Sequence, residues 1–106
     1  MNTLNSISEL KNIIQSGELS ILFKKSPICP VSHAAEREVE SFIEQTPSIK
    51  SYVVDVIGQH PLSQEIAQET GIRHESPQVF LFKSGEKIWS GSHYKIKANE
   101  LLKEIS

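Results

Sequence analysis

The sequence predicts an α/β fold, with a mixed four-stranded sheet flanked by helices, and three observations predict it. Apolar runs that read as strands first alternate with stretches of helical spacing, the pattern of a parallel strand-helix-strand unit with a right-handed crossover. Further on, two strand-like runs flank the short turn Lys83-Ser84-Gly85-Glu86, which reads as a β-hairpin. The run Leu19-Ser20-Ile21-Leu22-Phe23 is nearly all apolar, as suits a central strand covered on both faces.

Each element follows in chain order. Ser6-Ile7-Ser8-Glu9 is a capping-box pattern; Leu10, Ile13 and Ile14 continue it at helical spacing, and Gly17 stops it. After the central strand, Pro30 is a good first helical residue. Ala34, Ala35, Val39, Phe42 and Ile43 mark an inward face, and Glu36, Arg37, Glu38, Glu40 and Glu44 face water up to the break at Thr46-Pro47. Ser51 to Ile57 is β-branched and aromatic, a second strand closed by Gly58. Pro61 opens a helix with Leu62, Ile66 and Ala67 inward and Gly71 as its left-handed stop. Val79-Phe80-Leu81-Phe82 and Lys87-Ile88-Trp89-Ser90 form the hairpin, and a last helix turns Ala98, Leu101, Leu102 and Ile105 inward. Trp89, Tyr52 and the phenylalanines read as core or hairpin packing.

At 106 residues the chain makes one domain, residues 1–106, with a modest core. Its single cysteine forms no internal disulfide, which argues against a stapled secreted scaffold and for a reducing compartment. Met1-Asn2-Thr3-Leu4-Asn5-Ser6 has no basic or apolar run of a signal peptide, so a cytoplasmic location is expected. A net charge of -2 with Lys and Glu interspersed suits neither nucleic acid nor an anionic membrane, leaving proteins and small thiols as expected partners.

Cys29 stands where the central strand gives way to a helix through Ser26-Pro27-Ile28-Cys29-Pro30-Val31-Ser32. A helix N-terminus presents unpaired N–H groups and the positive end of the macrodipole, which favour a thiolate, the form that attacks disulfides. The lone cysteine therefore reads as a nucleophile.

The element order, a cysteine at the first strand-helix junction and Pro77 shortly before the third strand resemble the thioredoxin fold, from about Leu19 to Ile105. Gly71 to Glu86 resembles the segment that carries that fold's cis-proline, hairpin strand and glycine turn, so the resemblance implies a cis Ser76-Pro77 bond where residue statistics alone favour trans. A substrate would then pair with the backbone of Ser76 beside Cys29. In more detail, Cys29-Pro30-Val31-Ser32 joined to His74-Glu75-Ser76-Pro77-Gln78, with Pro61-Leu62-Ser63 between them, resembles the YtxJ-like redox proteins of the bacillithiol system, the monothiol bacilliredoxins. Val31 and Ile28 depart from the usual pattern and leave the nucleophile intact. The resemblance implies a monothiol thiol-disulfide oxidoreductase: Cys29 takes bacillithiol from S-bacillithiolated client proteins, and a low-molecular-weight thiol then clears it. Bacillithiol is the expected cosubstrate, and no tightly bound cofactor is expected.

Around Cys29, Ser32 lies three residues on along the same helix and is a candidate donor to the thiolate, with plain solvation as the alternative. Pro30, Ser76 and Pro77 are candidate substrate contacts. Lys24 and Lys25 would attract cosubstrate carboxylates, although lysines at a strand end ordinarily stay in water. Lys25 is retained as a substrate contact, as is His74 near the proline loop. His33, at i+4 from Cys29, reads as an exposed helix residue rather than a partner of sulfur.

Two other classes compete. A metal site would combine Cys29 and His33 with His60, His74 or His93, against the preference of structural zinc for several thiolates; an iron-sulfur cluster would need ligands from outside the chain. A non-enzymatic thioredoxin-like interaction domain would carry an inert cysteine that alkylates slowly.

Overall fold

In a computed structural model describing residues 1–106, the chain runs β1 (Asn2–Thr3), α1 (Ile7–Gln15), β2 (Ser20–Lys25), α2 (Pro30–Glu44), β3 (Lys50–Asp55), α3 (His60–Thr70), β4 (Gln78–Lys83), β5 (Glu86–Ser92), a 3-10 turn (His93–Lys95) and α4 (Ala98–Ile105). The strands form one sheet in the order β1-β3-β2-β4-β5. β1 and β2 run parallel to β3, whereas β4 is antiparallel to both β2 and β5. The sheet is mixed, as the alternation followed by a hairpin requires, but it has five strands where four are predicted. The added strand, β1, is only Asn2–Thr3, paired with Tyr52 and Val53; two polar residues have no periodicity to read, and only the presence of β3 makes them a strand.

Alternation along the strands divides the interior in two. Ile21, Phe23, Val79 and Leu81 face α2 and α4, where Ala35, Val39, Phe42, Ala98 and Leu101 meet them. Leu22, Val54, Phe80 and Phe82 face the other way, against Leu10 of α1 and Leu62 and Ile66 of α3, with Leu4. β2 contributes to both cores, which is why its sequence is apolar without alternation. Ala34, expected inward, is exposed, because the buried stripe of α2 is centred on Ala35, Val39 and Phe42. Trp89 lies half-buried against the first core.

The ends are set by local chemistry. Ser6 Oγ accepts the N–H of Glu9 and caps α1. Gly71, at φ +70, closes α3 in the left-handed conformation. Ser84 and Gly85, both at positive φ, make the two-residue turn from β4 to β5, which matches the twist of the strands. Glu38 of α2 accepts the N–H of Ala98 at 2.8 Å, capping α4 from a neighbouring helix.

No helix is long and apolar enough to cross a membrane.

Candidate active site around Cys29

β2 ends at Lys25, and four residues later Cys29 is the N-cap of α2, with an extended backbone (φ -101, ψ 121) and Pro30 following as the first helical residue. The carbonyl of Cys29 accepts the N–H of His33 at 3.1 Å, the first bond of the helix. Pro30 has no N–H, and the early amides of α2 are left pointing past Cys29 at the positive end of the helix. The thiol is free and half-buried, so it is held by the fold and still within reach of solvent. Pro30 beside it is exposed, and Ile28 is 81% exposed.

Ser32 is buried, and its Oγ accepts the N–H of Ser26 at 2.9 Å. The solvated alternative is therefore overturned: Ser32 ties the cysteine loop to the first turn of α2. Its own hydroxyl proton is not used by that bond. His33 is exposed, as expected, and its Nε2 lies 3.0 Å from the carbonyl oxygen of Pro27, on the same loop. Lys25 Nζ lies 3.3 Å from both carboxylate oxygens of Glu36, so this candidate substrate cation is already paired within the protein. Glu36, expected in water, is partly covered as a result.

The second half of the site arrives from β4. Lys24 pairs with Gln78 across the antiparallel ladder, so Pro77 comes to the end of the sheet where β2 hands over to Cys29. The Ser76-Pro77 bond is cis, as the resemblance implies, and Pro77 is buried. Ser76 Oγ is shielded from solvent with no hydrogen-bond partner. The Pro77 carbonyl accepts the N–H of His93 at 3.1 Å, so the 3-10 turn after β5 braces this loop, and His93 Nδ1 stands 4.0 Å from Glu75. The Gln78 side chain reaches back along the same loop, its Nε2 donating to the Arg73 carbonyl at 3.0 Å and its Oε1 accepting from the Glu75 N–H at 3.4 Å.

Lys24 corrects the sequence reading most sharply. It has no exposed surface, and its Nζ donates to the Ser63 carbonyl of α3 at 3.1 Å. Alternation places it on the same face as Leu22, and the first turns of α3 roof it over. Burial lowers its ammonium from 10.5 to about 8. Ser63 Oγ lies 3.1 Å from Nδ1 of His74. His74 is exposed, and its imidazole titrates below the usual range because of desolvation first, then the charges of Lys24 and His60, with Glu75 opposing. Ser63 and Gln78 belong to the motifs that carry the resemblance, but the sequence assigns neither of them a role in the site. A serine on the inward face of α3 beside Leu62 was the available signal for the first, and the place of Gln78 in an otherwise apolar strand was the signal for the second.

No group of three or more His, Cys, Asp or Glu side chains is placed to hold a metal ion.

Among solved structures, the chain is similar to a protein with a thioredoxin fold at 30% identity, with a TM-score of 0.91 over 99% of this chain and 93% of that one. Thioredoxin from Fasciola hepatica (22% identity, TM-score 0.71, 99% of this chain and 95% of that one) and mitochondrial thioredoxin 3 from Saccharomyces cerevisiae (20%, 0.78, 99% and 92%) share the fold. The family of the monothiol bacilliredoxin BrxC matches residues 2–101. A thiol at the mouth of α2, a proline loop opposite it and a match along nearly the whole chain agree: this thioredoxin-fold protein belongs to the monothiol bacilliredoxin family and has a thiol-redox role.

Proposed function

We propose that the protein is a monothiol oxidoreductase that removes bacillithiol from S-bacillithiolated client proteins in the cytoplasm. The observation that carries this reading is a single accessible thiol at the N-terminus of α2 with Ser32, not a second cysteine, in the following turn. In the first step the Cys29 thiolate attacks the bacillithiol sulfur of the client's mixed disulfide. A Cys29–bacillithiol disulfide forms, the client S–S bond breaks, and the client leaves as a thiolate that takes a proton from solvent. A second bacillithiol thiolate then attacks the bacillithiol sulfur on Cys29, giving bacillithiol disulfide and restoring the Cys29 thiolate. Each step exchanges one disulfide for another, so no outside oxidant is required.

Ser32 Oγ is bonded to the Ser26 N–H and makes no hydrogen bond to the Cys29 sulfur in this state, so its remaining proton would serve the thiolate only after the hydroxyl or the thiol reorients. Pro30, Pro77 and the backbone of Ser76 border the path of an incoming disulfide, with His74 on the same loop. Lys25 would meet a cosubstrate carboxylate only by sharing or leaving Glu36. Bacillithiol itself enters through family membership, because no residue here is a fingerprint for its sugar or malate.

Intact-mass spectrometry of the reduced protein mixed with a bacillithiolated client tests the reading, with Cys29→Ser as control and a glutathionylated client as rival. A bacillithiol-sized adduct on Cys29 together with free client thiol is expected. A folded, reduced protein that takes up no adduct would leave the interaction-domain reading in its place.

A further inference from the structure

Lys24 is a fully buried cation on the face otherwise filled by Leu22, Val54, Phe80 and Leu62. A methionine there would fill comparable space without desolvating a charge. The groups it stands among all converge on one short segment. Its Nζ holds the Ser63 carbonyl, and the Ser63 hydroxyl holds His74. Its cross-strand partner Gln78, also buried, holds the Arg73 carbonyl and the Glu75 N–H. Residues 73 to 75 are thus grasped from α3 on one side and from β4 on the other, and the next two residues are Ser76 and Pro77.

We infer that Lys24, Ser63 and Gln78 form a buried polar clamp that positions the His74–Pro77 loop for the incoming mixed disulfide. Lys24 and Ser63 are positioning residues: neither touches the reacting sulfur, and both act through the loop. The inference rests on the proposed function for its substrate, while the clamp itself has a readout that needs no substrate.

That readout is the His74 ring, followed by NMR titration of the full-length protein. In Lys24→Met the loss of a neighbouring positive charge raises the His74 pKa. In Ser63→Ala the ring loses its partner, and the Nδ1 resonance shifts. In transfer assays both variants raise KM for a bacillithiolated client about three- to tenfold, the weight of one hydrogen bond, with little change in kcat. The double variant is no worse than the more impaired single one, because the two residues act in one chain of contacts. Alkylation of Cys29 by iodoacetamide proceeds at the wild-type rate in all of them. A purely structural role for Lys24 would instead leave KM unchanged in folded Lys24→Met.

Unchanged KM in the folded variants, or alkylation falling in step with transfer, would overturn the clamp. If the wild-type protein transfers no bacillithiol, the proposed function fails on its own, and the His74 titration decides the clamp: an unaltered ring in both variants would then refute it.

Discussion

The backbone N–H of Ser26 donates to Oγ of Ser32 across 2.9 Å, closing the loop that carries Cys29 onto the first turn of the helix that follows. Ser32 therefore has a structural duty of its own.

Replacing Ser32 with alanine leaves the half-buried Ser26 amide without that acceptor and should lower stability by about 1–2 kcal/mol. Chemical denaturation measures it, and a variant as stable as the parent would show that the tie is dispensable. Ser32→Cys puts a second thiol one turn from Cys29, within reach of a disulfide. Under mild oxidant its intact mass should fall by the two thiol hydrogens, and bacillithiol loaded on Cys29 should leave without a second small thiol. Persistence of the adduct would show that the geometry forbids resolution.

Burial of Lys24 makes stability depend on pH with a definite sign. Its ammonium titrates near 10.5 unfolded and at about 8 in the fold. Below pH 8 both states hold the proton, and the fold carries the full penalty of a buried charge. Between about 8 and 10.5 the unfolded chain binds more protons, so the contribution to stability rises with pH and then levels off. Lys24→Met should be more stable than the parent at pH 7, on the order of 1–3 kcal/mol, with the gap closing through that window. Urea melts of both proteins from pH 7 to 10.5 test it, and a constant gap would mean that Lys24 titrates normally.

A Cβ on Gly91 would lie 2.5 Å from the Trp89 ring, which folds back over it along β5. Gly91→Ala must therefore displace the indole from its place against the core, and a loss of about 1–3 kcal/mol is expected, as for other overpacked sites. Trp89 is the only tryptophan, so fluorescence reports the displacement directly. An unshifted spectrum with unchanged stability would contradict the packing.

Glu38 caps α4 through the Ala98 amide, and Lys97, the N-cap residue, makes no side-chain capping bond of its own. Glu38→Ala should destabilise by about 1 kcal/mol and fray α4 first. Faster amide exchange at residues 98 to 101 would register this, and uniform exchange across the chain would argue against a local cap.

How much of this was legible in the sequence varied with how local the deciding physics is. Leu19 to Phe23, the Ser84-Gly85 turn and the Gly71 stop announce themselves because burial on two faces, positive φ and a left-handed cap each select residue types at the position itself. The placement of Cys29 before Pro30 was legible for the same reason. Lys24 was misread because a charge at the end of an apolar run ordinarily marks the waterline; only the roof supplied by α3, remote in sequence, removes it from solvent. Asn2–Thr3 likewise became a strand through a neighbour. The duty of Ser32 depended on how the chain beyond Pro27 brings it back to the Ser26 amide, which spacing along a helix does not encode.

β2 is hydrogen-bonded on both sides, to β3 and to β4, while residues 72 to 77 belong to no strand or helix. Amides of the first are expected to open only with the whole molecule, and those of the second to exchange through local fluctuation. Cys29 thus follows four residues after the end of the least yielding strand, whereas the segment before Pro77 is held by side chains of α3 and β4 and not by a strand ladder.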